Sequence, residues 1–254
     1  MNALTWLRTR LTQSAFATGE LLFPPTCALC GELAEVAAHE PLFCVDCRQH
    51  LWPAISSSCP GCALPYPDLP NPTGDCANCR AESFAFDGAR TLGIYQLEVR
   101  QAVLRIKHAE FEPLAMQLGK LLAERLRCEY FTPPPDVVAP VPMHWLKRLW
   151  RGTSAAELLA RQVAKELKLP CLADAVRCKR LLTKQSTLPA SERRKNVRGA
   201  YSVGWGFDLR GARVLLIDDV ITTGATCSAI ARELKKAGAA SVYATAIARA
   251  THAA

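Results

Sequence analysis

The sequence predicts an α/β protein: a parallel sheet flanked by helices, preceded by a small cysteine-rich region. Three observations carry this expectation. Eight of the twelve cysteines in the 254-residue chain fall within residues 27–79. From residue 89 onward, short apolar runs alternate with helical periodicity. Near the C-terminus an apolar run ends in two adjacent acids, a Thr/Gly loop and a further helical pattern. In open α/β sheets, ligands bind just beyond the carboxyl ends of such strands.

Hydrophobic residues make up 50% of the chain and charged residues 21%, which excludes a disordered or collagen-like protein. The length suits one or two domains with a core that folds without covalent help. Lys and Arg exceed Asp and Glu by 31 to 23. The excess is uneven: residues 1–80 hold four Arg and seven acids, a net of −3, which leaves +11 for the rest. Residues 137–198 alone hold fourteen basic residues against four acids. A basic face there would attract phosphates of nucleotides or nucleic acid, with a solvated surface as the plain alternative.

Taken in order, Leu4, Trp6, Leu7, Leu11 and Phe16 predict an amphipathic N-terminal helix over 1–24. It would pack on the body of the protein or, alternatively, on a membrane surface. Arg8 and Arg10 interrupt any signal-peptide core, and no run of ~18 apolar residues exists, so the expected compartment is the cytoplasm. Clustered thiols there usually bind metal.

Four C-x-x-C pairs follow: Cys27/Cys30, Cys44/Cys47, Cys59/Cys62 and Cys76/Cys79. Adding 32 to each position of the first quartet yields the second, so a C-x2-C-x13-C-x2-C unit is repeated. Each unit supplies the four thiolates of a closed structural Zn2+ site, and two such sites are expected. Sequential pairing follows the repeat, with crossed pairing open. Disulfides, redox pairs and iron–sulfur ligation are the weaker readings.

Beyond Arg80, residues 89–95 read as a strand and Val99, Val103, Leu104 and Ile106 as a helix. Glu112-Pro113 opens a longer helix to about Leu126, ended by three prolines at 133–135. Residues 136–142 read as a buried strand with prolines at its carboxyl end, and Ala155 to Leu167 as a helix stopped before Pro170. The run Val214-Leu-Leu-Ile217 is a buried strand, and Asp218 and Asp219 stand at its end. A helix is expected from Cys227 to Lys236, with Gly238 as its stop. Between strand and helix, Thr222, Thr223, Gly224, Ala225 and Thr226 can wrap a phosphate monoester with backbone N–H groups and hydroxyls at a helix N-terminus. The acids could accept hydrogen bonds from sugar hydroxyls or hold a hydrated Mg2+. No P-loop occurs.

The run V-L-L-I-D-D-V-I-T-T-G-A-T resembles the 5-phosphoribosyl-1-pyrophosphate (PRPP) signature of type I phosphoribosyltransferases. With the four C-x-x-C pairs, Val103-Leu-Arg-Ile-Lys-His108, Val141-Pro-Met-His-Trp-Leu-Lys-Arg148 and Arg151-Gly152, nearly the whole chain from Cys27 to Arg249 resembles the ComF family. The resemblance implies a double zinc ribbon over 25–82 and a phosphoribosyltransferase-like domain over 83–254. It implies that Asp218 and Asp219 bind the ribose hydroxyls and that residues 222–226 bind the 5′-phosphate. A pyrophosphate loop maps to Pro140, Val141, Pro142 and His144. A mobile hood maps to residues 180–185 and 192–196. In such an enzyme Arg148 and Arg151 would neutralise pyrophosphate, and Lys184, Arg193 and Arg194 would close over it. Where family members commonly read Arg-Gly-Phe-Asn-Gln, this chain reads Arg151-Gly152-Thr153-Ser154-Ala155.

Family members are associated with DNA uptake in natural competence, and a related branch with gluconate utilisation. The resemblance therefore implies a protein that binds PRPP with Mg2+, its acceptor unknown, and a DNA-uptake machinery partner. The rival reading is a non-catalytic single-stranded-DNA module, with Trp145, Trp150 and Tyr201 as stacking residues among the basic positions. A purine or orotate salvage enzyme is a third reading, against which the zinc region argues.

Overall fold

A computed structural model describes residues 24–34, 41–53, 58–65, 76–129, 131–182 and 190–251. The expected N-terminal helix and Lys184 lie outside the described residues, as do the side chains of Arg151, Arg193 and Arg194.

The centre of the molecule is a four-stranded sheet. It comprises β1 (Gly88–Ile94), β2 (Val137–Pro140), β5 (Arg213–Ile221) and β6 (Ser241–Arg249) in the order β1-β6-β5-β2, every neighbour parallel. Parallel strands require crossovers, and helices supply them. They are α3 (Leu97–Arg105), α4 (Glu112–Cys128), α5 (Trp145–Arg151), α6 (Ala155–Leu167), α7 (Ala190–Val197) and α8 (Ala225–Lys236). Two short helices, α1 (Val45–Leu51) and α2 (Ala77–Ala81), belong to the cysteine region. Strands β3 (Val176–Cys178) and β4 (Tyr201–Val203) form a separate antiparallel pair.

Side-chain alternation along the central strands divides the core into two layers. Leu215 and Ile217 of β5, with Tyr243 and Ile247 of β6, face α3, α4 and α6. Val214 and Leu216, with Val242, Ala244 and Ala246, face α8 and the β3–β4 pair. Both faces are covered, so these strands read as continuous apolar runs.

The expected strand at 89–95 and helices at 112–126, 155–167 and 227–236 appear as β1, α4, α6 and α8, with ends shifted by two residues at most. Two expectations change. Strand β5 does not end before the acids but runs through them to Ile221, because pairing with β6 continues from Asp218 against Ala246 to Ile221 against Arg249. Residues 192–196, expected within a mobile hood, lie in the helix α7.

Helices α4 and α6 cross closely at Gly119, where an added Cβ would lie 2.7 Å from Cβ of Gln162. No side chain fits there without spreading the pair. Gly119→Leu is expected to destabilise the fold by about 1–3 kcal/mol, read as a lowered midpoint of urea unfolding; an unchanged midpoint contradicts this packing.

Candidate functional site

The repeated cysteine unit folds twice by the same local rules. In each unit a tight turn carries the first pair, closed by the isolated bridges Thr26–Leu33 and Ser58–Pro65, again 32 residues apart. The residue after the turn adopts positive φ in both: Gly31 at +83° and Ala63 at +58°. The second pair opens a helix. Cys44 caps α1 by accepting from the Cys47 N–H at 3.5 Å, and Cys76 caps α2 by accepting from the Cys79 N–H at 3.3 Å. A helix N-terminus thereby points its positive end at thiolates.

The structure brings together Cys27, Cys30, Cys44 and Cys47 in one cluster and Cys59, Cys62, Cys76 and Cys79 in the other, the sequential pairing. Sulfurs approach to 3.7 Å for Cys30–Cys44, 3.6 Å for Cys59–Cys79 and 3.4 Å for Cys62–Cys76. A tetrahedral Zn–S length of about 2.3 Å sets an edge of about 3.8 Å, so both sets have the size zinc demands. The fit extends to the surrounding backbone: a Cβ on Gly61 would stand 3.1 Å from Sγ of Cys79. The sulfurs also differ in environment. Against burial, which raises it, N–H groups of Cys30, Cys44 and Leu29 bring Cys27 down to about 6. Burial and neighbouring sulfurs push Cys47 and Cys79 up. Four thiolates fill a tetrahedral ion, so these centres are structural.

The second site is built at the carboxyl end of the sheet. Strand β2 ends with Pro140 paired to Ile217, and the Val141 N–H still reaches the Ile217 carbonyl at 2.8 Å. Asp218 and Asp219 come next on β5, where no β2 neighbour remains. Asp218 Oδ1 accepts from the Asp219 N–H, and Asp219 Oδ1 from the Val220 N–H, both at 2.8 Å. Burial raises the Asp218 pKa well above the usual carboxylate value, and the charge on Asp219 adds to the rise. Lys107, just past α3, offsets this: its Nζ lies 3.0 Å from Oδ2 of Asp219.

Thr222, Thr223 and Gly224 then turn the chain into α8. Gly224 caps the helix at φ +77°, and an added Cβ would fall 2.8 Å from Cε1 of Phe84, so conformation and space both demand glycine. Thr223 Oγ1 accepts from the Ala225 N–H at 3.4 Å. Thr226 is hydrogen-bonded to the phenol of Tyr201, whose pKa burial pushes up.

Past the end of β2, His144 is buried and caps α5 by accepting from the Leu146 N–H at 3.3 Å. Arg148 is exposed and pairs with Glu157 at 2.9 Å. Arg151 closes α5, and Arg193 and Arg194 lie in α7. Thr153 and Ser154 are buried at the start of α6. Trp145 and Trp150 are 65% and 89% exposed, but Tyr201 is buried, so it offers no ring to a stacking base. Sequence reasoning missed Lys107 as a site residue. It lies in the run Val103–His108, yet nothing local distinguishes a helix-end lysine that reaches a carboxylate from one in solvent.

Comparison with known proteins agrees with both parts. The double zinc ribbon domain family matches residues 19–80, and the phosphoribosyl transferase domain family matches residues 153–253. Competence protein F of Haemophilus influenzae is 30% identical over 223 residues, spanning 82% of this chain and 96% of that protein. The DNA utilization protein YhgH of Escherichia coli K12 is 29% identical over 190 residues, 72% of this chain and 80% of its own. Among solved structures, the glutamine PRPP amidotransferase of B. subtilis matches with 25% identity and a TM-score of 0.37, covering 54% of this chain and 26% of that one. Among the described residues, no helix is long and apolar enough to cross a membrane.

Metal analysis of the purified chain is expected to find two zinc ions per molecule. Cys30→Ser and Cys76→Ser should each remove one; a full complement in either variant would contradict these ligand sets.

Proposed function

The chain belongs to the family of competence protein F, the ComF family, and from that premise we propose that it binds PRPP with Mg2+ in the loop after β5. The observation that carries this reading is the placement of Asp218 and Asp219 beyond the end of β2, followed at once by the Thr222–Thr226 turn into α8. Residues 222–226 offer backbone N–H groups, hydroxyls and a helix N-terminus to the 5′-phosphate. Asp218 and Asp219 accept hydrogen bonds from the ribose hydroxyls. The hard carboxylate oxygens of Asp218 and Asp219 would suit Mg2+, which would supply positive charge to offset that of the pyrophosphate.

A transferase reaction at this site would displace pyrophosphate from C1 of the ribose through an oxocarbenium-like transition state. The protein's task is then to hold the sugar and offset the leaving anion's charge. Lys107 supplies one cation beside the acids. Arg148 and Arg151 on α5, Lys184, and Arg193 and Arg194 on α7 supply the remainder when they turn toward the ligand. The family's association makes DNA uptake the process served, with a component of the uptake machinery as partner.

A second reading rests on the exposed rings of Trp145 and Trp150 beside Lys147 and Arg148: this helix stacks on and neutralises single-stranded DNA. One basic surface could serve both ligands.

Calorimetry with PRPP and Mg2+ tests the first reading. Binding is expected for the wild type and abolished in the double variant Asp218→Asn/Asp219→Asn. In Lys107→Met it is expected to weaken by about tenfold, the loss of one charge-assisted contact. Absence of heat for the wild type would refute it. For the second reading, DNA affinity should fall steeply with salt and drop in Trp145→Ala/Trp150→Ala; a salt-independent affinity refutes it.

A further inference from the structure

The second cysteine tetrad stands against the loop after β5, and two side chains join them. Arg249, the last residue of β6, is 1% exposed. Its Nε donates to the Cys62 carbonyl at 2.8 Å, and its Nη1 donates to the carbonyls of Ile221 at 2.9 Å and of Thr222. One guanidinium thus ties the backbone of a metal-ligating residue to the first residue of the loop. The other joint is aromatic. Phe84 packs against Cys59 and Cys62, stacks on Phe86 with ring centroids 4.8 Å apart, and fills the space that a side chain at Gly224 would need. Next to it, the Ala85 N–H donates to Oγ of Ser228 in the first turn of α8 at 3.0 Å.

Burying a guanidinium is costly unless other charge compensates it. A zinc-loaded tetrad, four thiolates and one Zn2+, carries −2 and supplies that compensation. The first tetrad has different contacts. It joins α3 and α4 instead, through Arg105 to the Leu29 carbonyl at 2.6 Å and Gln117 to the Leu42 N–H at 2.9 Å.

We propose that the second tetrad braces the phosphate loop through Arg249 and Phe84, so that zinc at Cys59, Cys62, Cys76 and Cys79 sets the loop's affinity for a phosphate monoester. Arg249 is a positioning residue, acting through the Ile221 and Thr222 carbonyls. The proposal rests on the reading of residues 222–226 as phosphate-binding.

The test uses the full chain, with zinc content, amide hydrogen exchange and calorimetry against ribose 5-phosphate and against PRPP with Mg2+. Arg249→Met and Cys79→Ser are expected to speed exchange at residues 222–226 by about tenfold and to weaken ligand binding by about tenfold. Arg249→Lys, which keeps the charge with fewer donors, should fall between wild type and Arg249→Met. Gly119→Leu serves as a control for general destabilisation and should leave exchange in the loop unchanged. Unaltered loop exchange in both Arg249→Met and Cys79→Ser overturns the proposal, and so does an equal effect of Gly119→Leu. If Arg249→Met does not fold, Arg249→Lys and Cys79→Ser decide. If the wild type binds neither ligand, the phosphate reading fails, while exchange in the loop still decides whether the brace exists.

Discussion

A mismatch in strand length organises the site. β2 stops at Pro140, opposite Ile217, while β5 continues against β6 for four more residues. The ladder with β6 carries the backbone on through Asp218 and Asp219 to Ile221, and β2 pairs with none of these residues on the other side. Two adjacent carboxylates repel each other, the more so where they are partly buried, and need compensating partners. Here the Asp219 and Val220 N–H groups and the Lys107 ammonium supply them.

The two cysteine units show how one local device can serve two roles. Turn, positive-φ residue and cysteine-capped helix recur at a spacing of 32 residues. Their outward contacts do not recur. The first unit buries Leu29, Phe43 and Leu51 among residues of α3 and α4. The second faces Phe84, Arg249 and the turn into α8. The metal-binding region is thus packed into the same body as the sheet. Electrostatics follow the same division: residues 1–80 are net acidic even before zinc is bound, and residues 137–198 carry the basic excess.

Much of this was legible in the chain. Periodicity located β1, α4, α6 and α8 because each presents an apolar face at helical or strand spacing, with Pro or Gly at its ends. It failed at β6, where Ala244, Ala246 and Ala248 are small because helices cover both faces, and alanine carries little strand signal. It failed at β3 and β4, which are three residues each, and at α7, whose polar sequence has no apolar stripe. At the site, the acid pair and Thr/Gly turn were legible because their chemistry is local. Tyr201 appeared available as a stacking ring and proved to be core, since burial is a property of the whole fold.

The sequence by itself determined the spacings. Thiolates three positions apart reach one ion, and adjacent acids before a Thr/Gly turn lie near the carboxyl end of a strand. Only the tertiary structure decided which distant residues complete those groups. Lys107 reaches Asp219 across 112 positions, and Arg249 reaches Cys62 across 187. No local pattern encodes such pairs, because they arise from the order in which the parallel strands are laid side by side.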